Sequence, residues 1–191
     1  MKVVAFNGSP RKDGNTAQLI GALGEGLRAE GVSLEKIDIC EHRPRGCIAC
    51  NKCKENRDER CVIEGDPLNE WLQEMKEADG VVLGSPTYFA NVSAEMKALI
   101  DRAGYVSRAN DVMLRRKVAA AVVAVRRAGA LPAFDAMNHM FMINQMLIVG
   151  SSYWNLGLGG RPGDVAGDDE AMANMKNLAE NMAWAIKKLR G

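Results

Sequence analysis

The chain has 191 residues, 47% hydrophobic and 26% charged, which suffices for one domain around a single core and is far from the composition of a disordered chain. A formal net charge of +1 gives no global field to attract nucleic acid or an anionic membrane, and no apolar run reaches the length of a membrane span. The opening MKVVAFN is too short an apolar stretch for a signal peptide and fits a first strand, so a cytoplasmic location is expected, where thiols stay reduced.

Strand-like and helix-like segments alternate along the chain. Residues 2–6 form a β-branched run that stops at the turn formers Asn7-Gly8-Ser9-Pro10. Residues 15–30 read as a helix with Ile20, Leu23 and Leu27 on one face, Asn15 as its cap and Gly31 as its stop. Residues 32–39 alternate as a second strand, and a cysteine segment follows over about 40–66. Asp66-Pro67 then opens a helix carrying Leu68, Trp71, Leu72 and Met75 inward. Residues 80–84, GVVLG, have the continuous apolar character of a strand buried on both faces. Asn91 or Ser93 caps the next helix, with Met96, Leu99, Ile100 and Ala103 inward. Residues 117–125 give a fourth strand, 132–144 a helix and 146–149 a fifth strand. The last helix, about 168–189, has acidic residues at its start and basic ones at its end, matching the helix dipole.

No repeat, low-complexity tract or linker divides the chain, so residues 1–191 are expected to form a single α/β domain: a three-layer, doubly wound, five-stranded parallel sheet. Ligands in such sheets bind beyond the carboxyl ends of the strands, where strand order reverses. The loops after the first four strands (8–14, the cysteine segment, 86–91 and 126–129) are therefore expected to face one region.

The first of these loops, GSPRKDGNT from Gly8 to Thr16, combines glycines, hydroxyls and a helix start, the makings of an anion cradle, and Arg11 can add a charge-assisted contact. It is neither a Walker loop nor a dinucleotide fingerprint, and an ordinary strand-to-helix turn is the plain alternative. The second, SPTYFANVS from Ser85 to Ser93, sets two aromatics and several hydrogen-bonding groups beside a buried strand. That suits the edge of a planar ring, or simply a packed Tyr-Phe pair.

These segments, GSPRKDGNT, GSPTYFANVSAEMKALIDR and the later GRPGD at 160–164, resemble the flavodoxin-like NAD(P)H-dependent FMN reductase family over nearly the whole chain. The resemblance implies strand order 2-1-3-4-5 and noncovalent FMN. Ser9, Arg11, Asn15 and Thr16 would hold the phosphate. Pro86, Thr87, Tyr88, Phe89 and Asn91 would line the isoalloxazine and ribityl groups, with Arg126, Ala128 and Gly129 on a third flavin-facing loop. No Ser/His/Asp or paired-carboxylate constellation is needed, so no catalytic side chain is expected beyond those that tune the flavin.

Four of the five cysteines fall in one run, Cys47-x2-Cys50-x2-Cys53-x7-Cys61. Such a run can supply the thiolates of an iron–sulfur cluster, whereas structural zinc more often pairs two separate Cys-x-x-Cys knuckles. Free thiols, a disulfide or a degenerate loop remain open. The run resembles the iron–sulfur flavoprotein branch of the same family, which implies a 4Fe–4S cluster on Cys47, Cys50, Cys53 and Cys61. It further implies ferredoxin or a nicotinamide nucleotide as redox partner and a homodimer or homotetramer. The alternatives are an NAD(P)H-dependent FMN or quinone reductase without a cluster, or a noncatalytic electron carrier. Cys40 reads as a small buried hydrophobe, His42 as a solvated loop residue, and His139, among methionines, as part of a packing or subunit surface.

Overall fold

The computed structural model describes residues 1–191. Strands β1 (Lys2–Asn7), β2 (Ser33–Asp38), β3 (Gly80–Pro86), β4 (Val118–Val125) and β5 (Leu147–Ile148) form a parallel sheet in the order β2-β1-β3-β4-β5. The expected order holds, with one strand more than expected. β6 (Leu156–Leu158) pairs with Val123–Val125 at the end of β4, while β5 pairs with Val118 and Ala119 at its beginning. Two short strands thus share one edge of β4.

Side chains along a strand alternate between the faces of the sheet. Val3 and Ala5 of β1, Val82 of β3 and Val118, Ala120, Val122 and Ala124 of β4 pack under α1 (Asn15–Ala29) and α6 (Asp169–Arg190). Val4, Phe6, Val81, Leu83, Ala119, Ala121, Val123 and Val125 pack on the other face under α3 (Leu68–Glu77), α4 (Ala94–Ala109) and α5 (Ala130–Ile143). The central strands are apolar on both sides because both sides are covered. At Gly84 a Cβ would lie 2.7 Å from Ile20 Cδ1, so only glycine lets α1 seat this closely on β3.

Two helix starts carry side-chain caps. Ser93 caps α4 by accepting from the Met96 N–H, and Asp168 caps α6 by accepting from the Ala171 N–H. Asn15 does not cap α1: Gly14 occupies that position without a side-chain bond, and Asn15 is the first helical residue.

The segment between the 3-10 turn Ile39–His42 and α3 contains only one short helix, α2 (Lys52–Asn56). Five of its non-glycine residues, Arg43, Ala49, Asn51, Arg57 and Glu59, have positive φ, so the chain changes direction repeatedly. The segment leaves the sheet's carboxyl edge and runs along α4. Arg57 Nε donates to the Ala109 carbonyl, and the Glu59 N–H donates to Asn110 Oδ1 at the far end of that helix. The expectation that it shares one region with the other loops therefore holds only at its start, where Glu41 pairs with Lys12 of the first loop at 2.9 Å, and is corrected for the part that runs along α4. Nothing in the Cys-x-x-Cys spacing records which way the intervening chain runs.

Candidate functional site

Strand order reverses between β1 and β3, and the loops that follow β1, β3 and β4 meet at this switch point. The Gly8 N–H donates to the Gly84 carbonyl at 2.7 Å, and a Cβ on Gly8 would lie 3.0 Å from Ser93 Oγ. Gly129, with φ of 84°, packs on Ala90, so the loop after β4 touches the loop after β3. A fourth segment joins them. Asn15 Nδ2 donates to the Arg161 carbonyl at 2.9 Å, and Asn15 Oδ1 accepts from the N–H groups of Gly163 and Val165 at 2.9 and 3.4 Å. The Asn15 amide is thus committed to the 161–165 turn. Its contribution to an anion at this site is its backbone N–H.

The crevice is rich in unused donors. The N–H groups of the first turn of α1 have no intrahelical acceptor and carry the positive end of the helix dipole. Thr16 is buried in that turn, and its hydroxyl has no partner. Thr87, at the end of β3, likewise has a buried hydroxyl without a partner, although its N–H donates to the Ala124 carbonyl. An unpaired buried hydroxyl costs about 1–3 kcal/mol. Two of them on the loops that frame one crevice fit a ligand with a phosphate at the α1 end and acceptors along β3. Ser9 is buried and its Oγ accepts from the Arg11 N–H, while the Arg11 side chain is exposed.

Beyond Pro86 the chain turns sharply. Tyr88 and Asn91 exchange both backbone hydrogen bonds, and Phe89 and Ala90 between them have φ of 47° and 56°. Two L residues in the left-handed region hold strain that glycines would relieve. Phe89 is fully exposed and Tyr88 is 44% exposed. Asn91 Oδ1 accepts from the Val92 N–H. Arg126 and Ala128 are exposed beside this turn, with Gly129 half-buried.

A second site lies on α4. Cys47, Cys50, Cys53 and Cys61 all line one small pocket of about 40 Å³, closed by Ile63, Arg102, Tyr105 and Val106. All are free thiols. The Ala49 N–H donates to Cys47 Sγ at 3.4 Å, and Arg102 Nε donates to Cys61 Sγ at 3.4 Å. Burial, and then the proximity of Cys50, Cys61 and Cys47, pushes the Cys53 thiol up. No three His, Cys, Asp or Glu side chains are close enough to hold a single metal ion. Four sulfurs around one pocket, with N–H donors on two of them, suit a wider cationic cluster. Cys40 is outside this group, and burial pushes its thiol up to about 12.

Three residues that sequence reasoning missed fix this second site. Arg102 is buried in α4, and its Nη1 pairs with Asp66 Oδ2 at 2.5 Å. Burial pushes the Asp66 carboxyl up, but the Arg102 guanidinium and the N–H groups of Arg45 and Leu68 outweigh it and hold the group below its usual range. Asn69 of α3 accepts from the Cys61 N–H at 2.8 Å and donates to the Cys61 carbonyl at 2.9 Å. One signal was available: Leu99, Arg102 and Val106 are spaced three and four apart, which puts an arginine on the apolar stripe of α4. Along that helix Arg102 lies roughly 14 Å beyond the Ser93 cap, which adjoins the first loop. A groove of about 840 Å³ adjoins the cysteine segment, running between α4 and α5 and lined by Lys54, Arg57, Tyr105 and His139 among others.

Comparison with known proteins agrees with this geometry. Residues 1–160 match the family model described as NADPH-dependent FMN reductase. An iron-sulfur flavoprotein of Methanocaldococcus jannaschii is 38% identical over 199 residues, covering 100% of both chains. Another from Methanosarcina thermophila is 32% identical over 154 residues, covering 80% of this chain and 78% of that one. Among solved structures, a flavodoxin, WrbA-like protein from Agrobacterium tumefaciens superposes with a TM-score of 0.66 at 15% identity, covering 98% of this chain and 97% of that one, a likeness of fold alone. No helix is long and apolar enough to cross a membrane. The switch-point crevice, the motifs around it and these relatives together place the chain in the NADPH-dependent FMN reductase family, in its iron–sulfur flavoprotein branch, as an FMN-dependent oxidoreductase.

Proposed function

We propose that the chain exchanges electrons among a 4Fe–4S cluster held by Cys47, Cys50, Cys53 and Cys61, an FMN in the switch-point crevice, and an external carrier such as ferredoxin or a nicotinamide nucleotide. The observation that carries this reading is the convergence of all four cysteines on one pocket with N–H donors on two of the sulfurs. When bound, the flavin supplies one- and two-electron chemistry and the cluster supplies single electrons.

The protein's own residues bind and orient these groups. Ser9, Arg11, Thr16 and the first-turn N–H groups at Asn15 and Thr16 receive the phosphate, with the Thr16 hydroxyl finding its missing partner there. Pro86, Thr87 and the strained Tyr88–Asn91 turn, including Phe89, form one wall for the ring and ribityl chain, and Arg126, Ala128 and Gly129 form the other. Self-association as a homodimer or homotetramer belongs to the same proposal. Its support is the apolar exposure of Leu147, Ile148, Tyr153 and Trp154 at and beside an open sheet edge.

The test is Cys50→Ala. Anaerobically reconstituted wild type is expected to carry both cluster and flavin absorption, and the variant flavin alone. A cluster retained in the variant would overturn the ligand set, and loss of both groups would show that the two sites are not separate. Flavin without iron in the wild type would leave an NAD(P)H-dependent reductase that lacks a cluster.

A further inference from the structure

We propose that Arg102 is a positioning residue of the cysteine site: its guanidinium pins the loop to α4 and donates a hydrogen bond to the Cys61 sulfur that raises the reduction potential of the cluster. The inference rests on the assignment of the four cysteines as cluster ligands.

An arginine is rarely buried without a partner for its charge, and this one is 1% exposed. Every partner it has belongs to the cysteine segment. Nη1 donates to Asp66 Oδ2 at 2.5 Å and to the Arg45 carbonyl at 3.1 Å, Nη2 to the Ile63 carbonyl at 3.2 Å, and Nε to Cys61 Sγ at 3.4 Å. Arg45 precedes the first cysteine of the run and Ile63 follows the last, so one rigid planar fork gathers both ends of the loop.

The Nε contact is the informative one. Asp66 already balances the charge, so Cys61 is not needed for that. A neutral thiol is a weak acceptor, a poor use of a buried donor, whereas a metal-bound thiolate is a strong one. Asn69 independently fixes the Cys61 peptide from both sides. Cys61 is therefore a preformed corner, half-buried and held at backbone and sulfur, while Cys47 and Cys50 are exposed on the outer part of the loop. A hydrogen bond donated to a ligand sulfur favours the more negative, reduced cluster, which raises its potential. Lysine keeps the charge but lacks the fork.

The experiment uses the full chain, anaerobically reconstituted, as wild type, Arg102→Lys, the pair replacement Arg102→Met/Asp66→Leu, and Asn69→Ala, with FMN content reporting the fold. Removing the buried ion pair as a pair avoids stranding a charge. Potentiometric titration followed by EPR is expected to show the pair replacement reduced about tenfold less favourably, a potential lower by 59 mV for a one-electron couple. Arg102→Lys is expected to shift it less in the same direction. Asn69→Ala loosens the Cys61 backbone but keeps the N–H···S bond, and should leave the potential in place.

Trypsin supplies a readout without a cluster. In the metal-free chain, cleavage within residues 43–60 is expected to be several-fold faster in all three variants than in wild type. An unchanged potential in a cluster-bearing pair variant, or an equal shift in Asn69→Ala, would overturn the tuning. Unchanged trypsin sensitivity would overturn the clamp. Wild type without iron would overturn the cluster assignment and the tuning with it, while trypsin still decides the clamp.

Discussion

Replacing Thr16 by valine should move two measurements in opposite directions. The side chain is 1% exposed and its hydroxyl has no partner, so the folded chain carries an unsatisfied polar group at the start of α1. Valine keeps the shape and the β-branch and removes that group. Leaving a buried hydroxyl unpaired costs about 1–3 kcal/mol, so flavin-free Thr16→Val should gain up to about that much stability. A hydrogen bond to a charged phosphate contributes about 1.5–3 kcal/mol, and each 1.4 kcal/mol is tenfold, so the FMN dissociation constant should rise roughly 10- to 100-fold. Urea unfolding of the flavin-free protein gives the first quantity, and titration followed by quenching of flavin fluorescence gives the second. Thr16→Ser keeps the hydroxyl and should keep most of the affinity. The reasoning is refuted if Thr16→Val is less stable without flavin and binds FMN as tightly as wild type.

Asp66→Leu alone leaves the Arg102 charge buried and should cost about 3–5 kcal/mol in urea unfolding, most of it recovered in Arg102→Met/Asp66→Leu. The folded-state pKa of Asp66 is depressed, so its contribution is fully present above the unfolded value of about 4 and is lost as pH falls through the lower folded value. Wild type should therefore lose stability more steeply than the pair variant below about pH 4. Phe89→Gly relieves a positive φ at a fully exposed side chain, so the flavin-free protein should gain about 1 kcal/mol. The same change should weaken FMN binding if the ring forms part of the flavin wall, and unchanged affinity would remove Phe89 from the site.

Much of the fold was legible because its signals are local. The uninterrupted apolar runs at Gly80–Leu83 and Val118–Val125 mark strands covered on both faces, and Ser93 and the charge pattern of α6 mark helix ends. The sixth strand, Leu156–Leu158, was not legible: three residues with a central glycine have no alternation, and only the end of β4 gives them a partner. Asn15 reads as a cap in sequence, but Gly14 takes that position and frees the amide to hold residues 161–165, nearly 150 positions away in the chain. The cysteine spacing names a ligand set yet says nothing of the loop's path along α4. That path depends on Arg102 and Asn69, whose partners are distant in sequence.

The central claim is that one chain holds a cluster on Cys47, Cys50, Cys53 and Cys61 together with an FMN at the switch point. Iron, acid-labile sulfide and flavin analysis of anaerobically purified protein tests it most directly. About four irons and four sulfides per FMN are expected. One FMN with no iron, even after reconstitution, would contradict the claim.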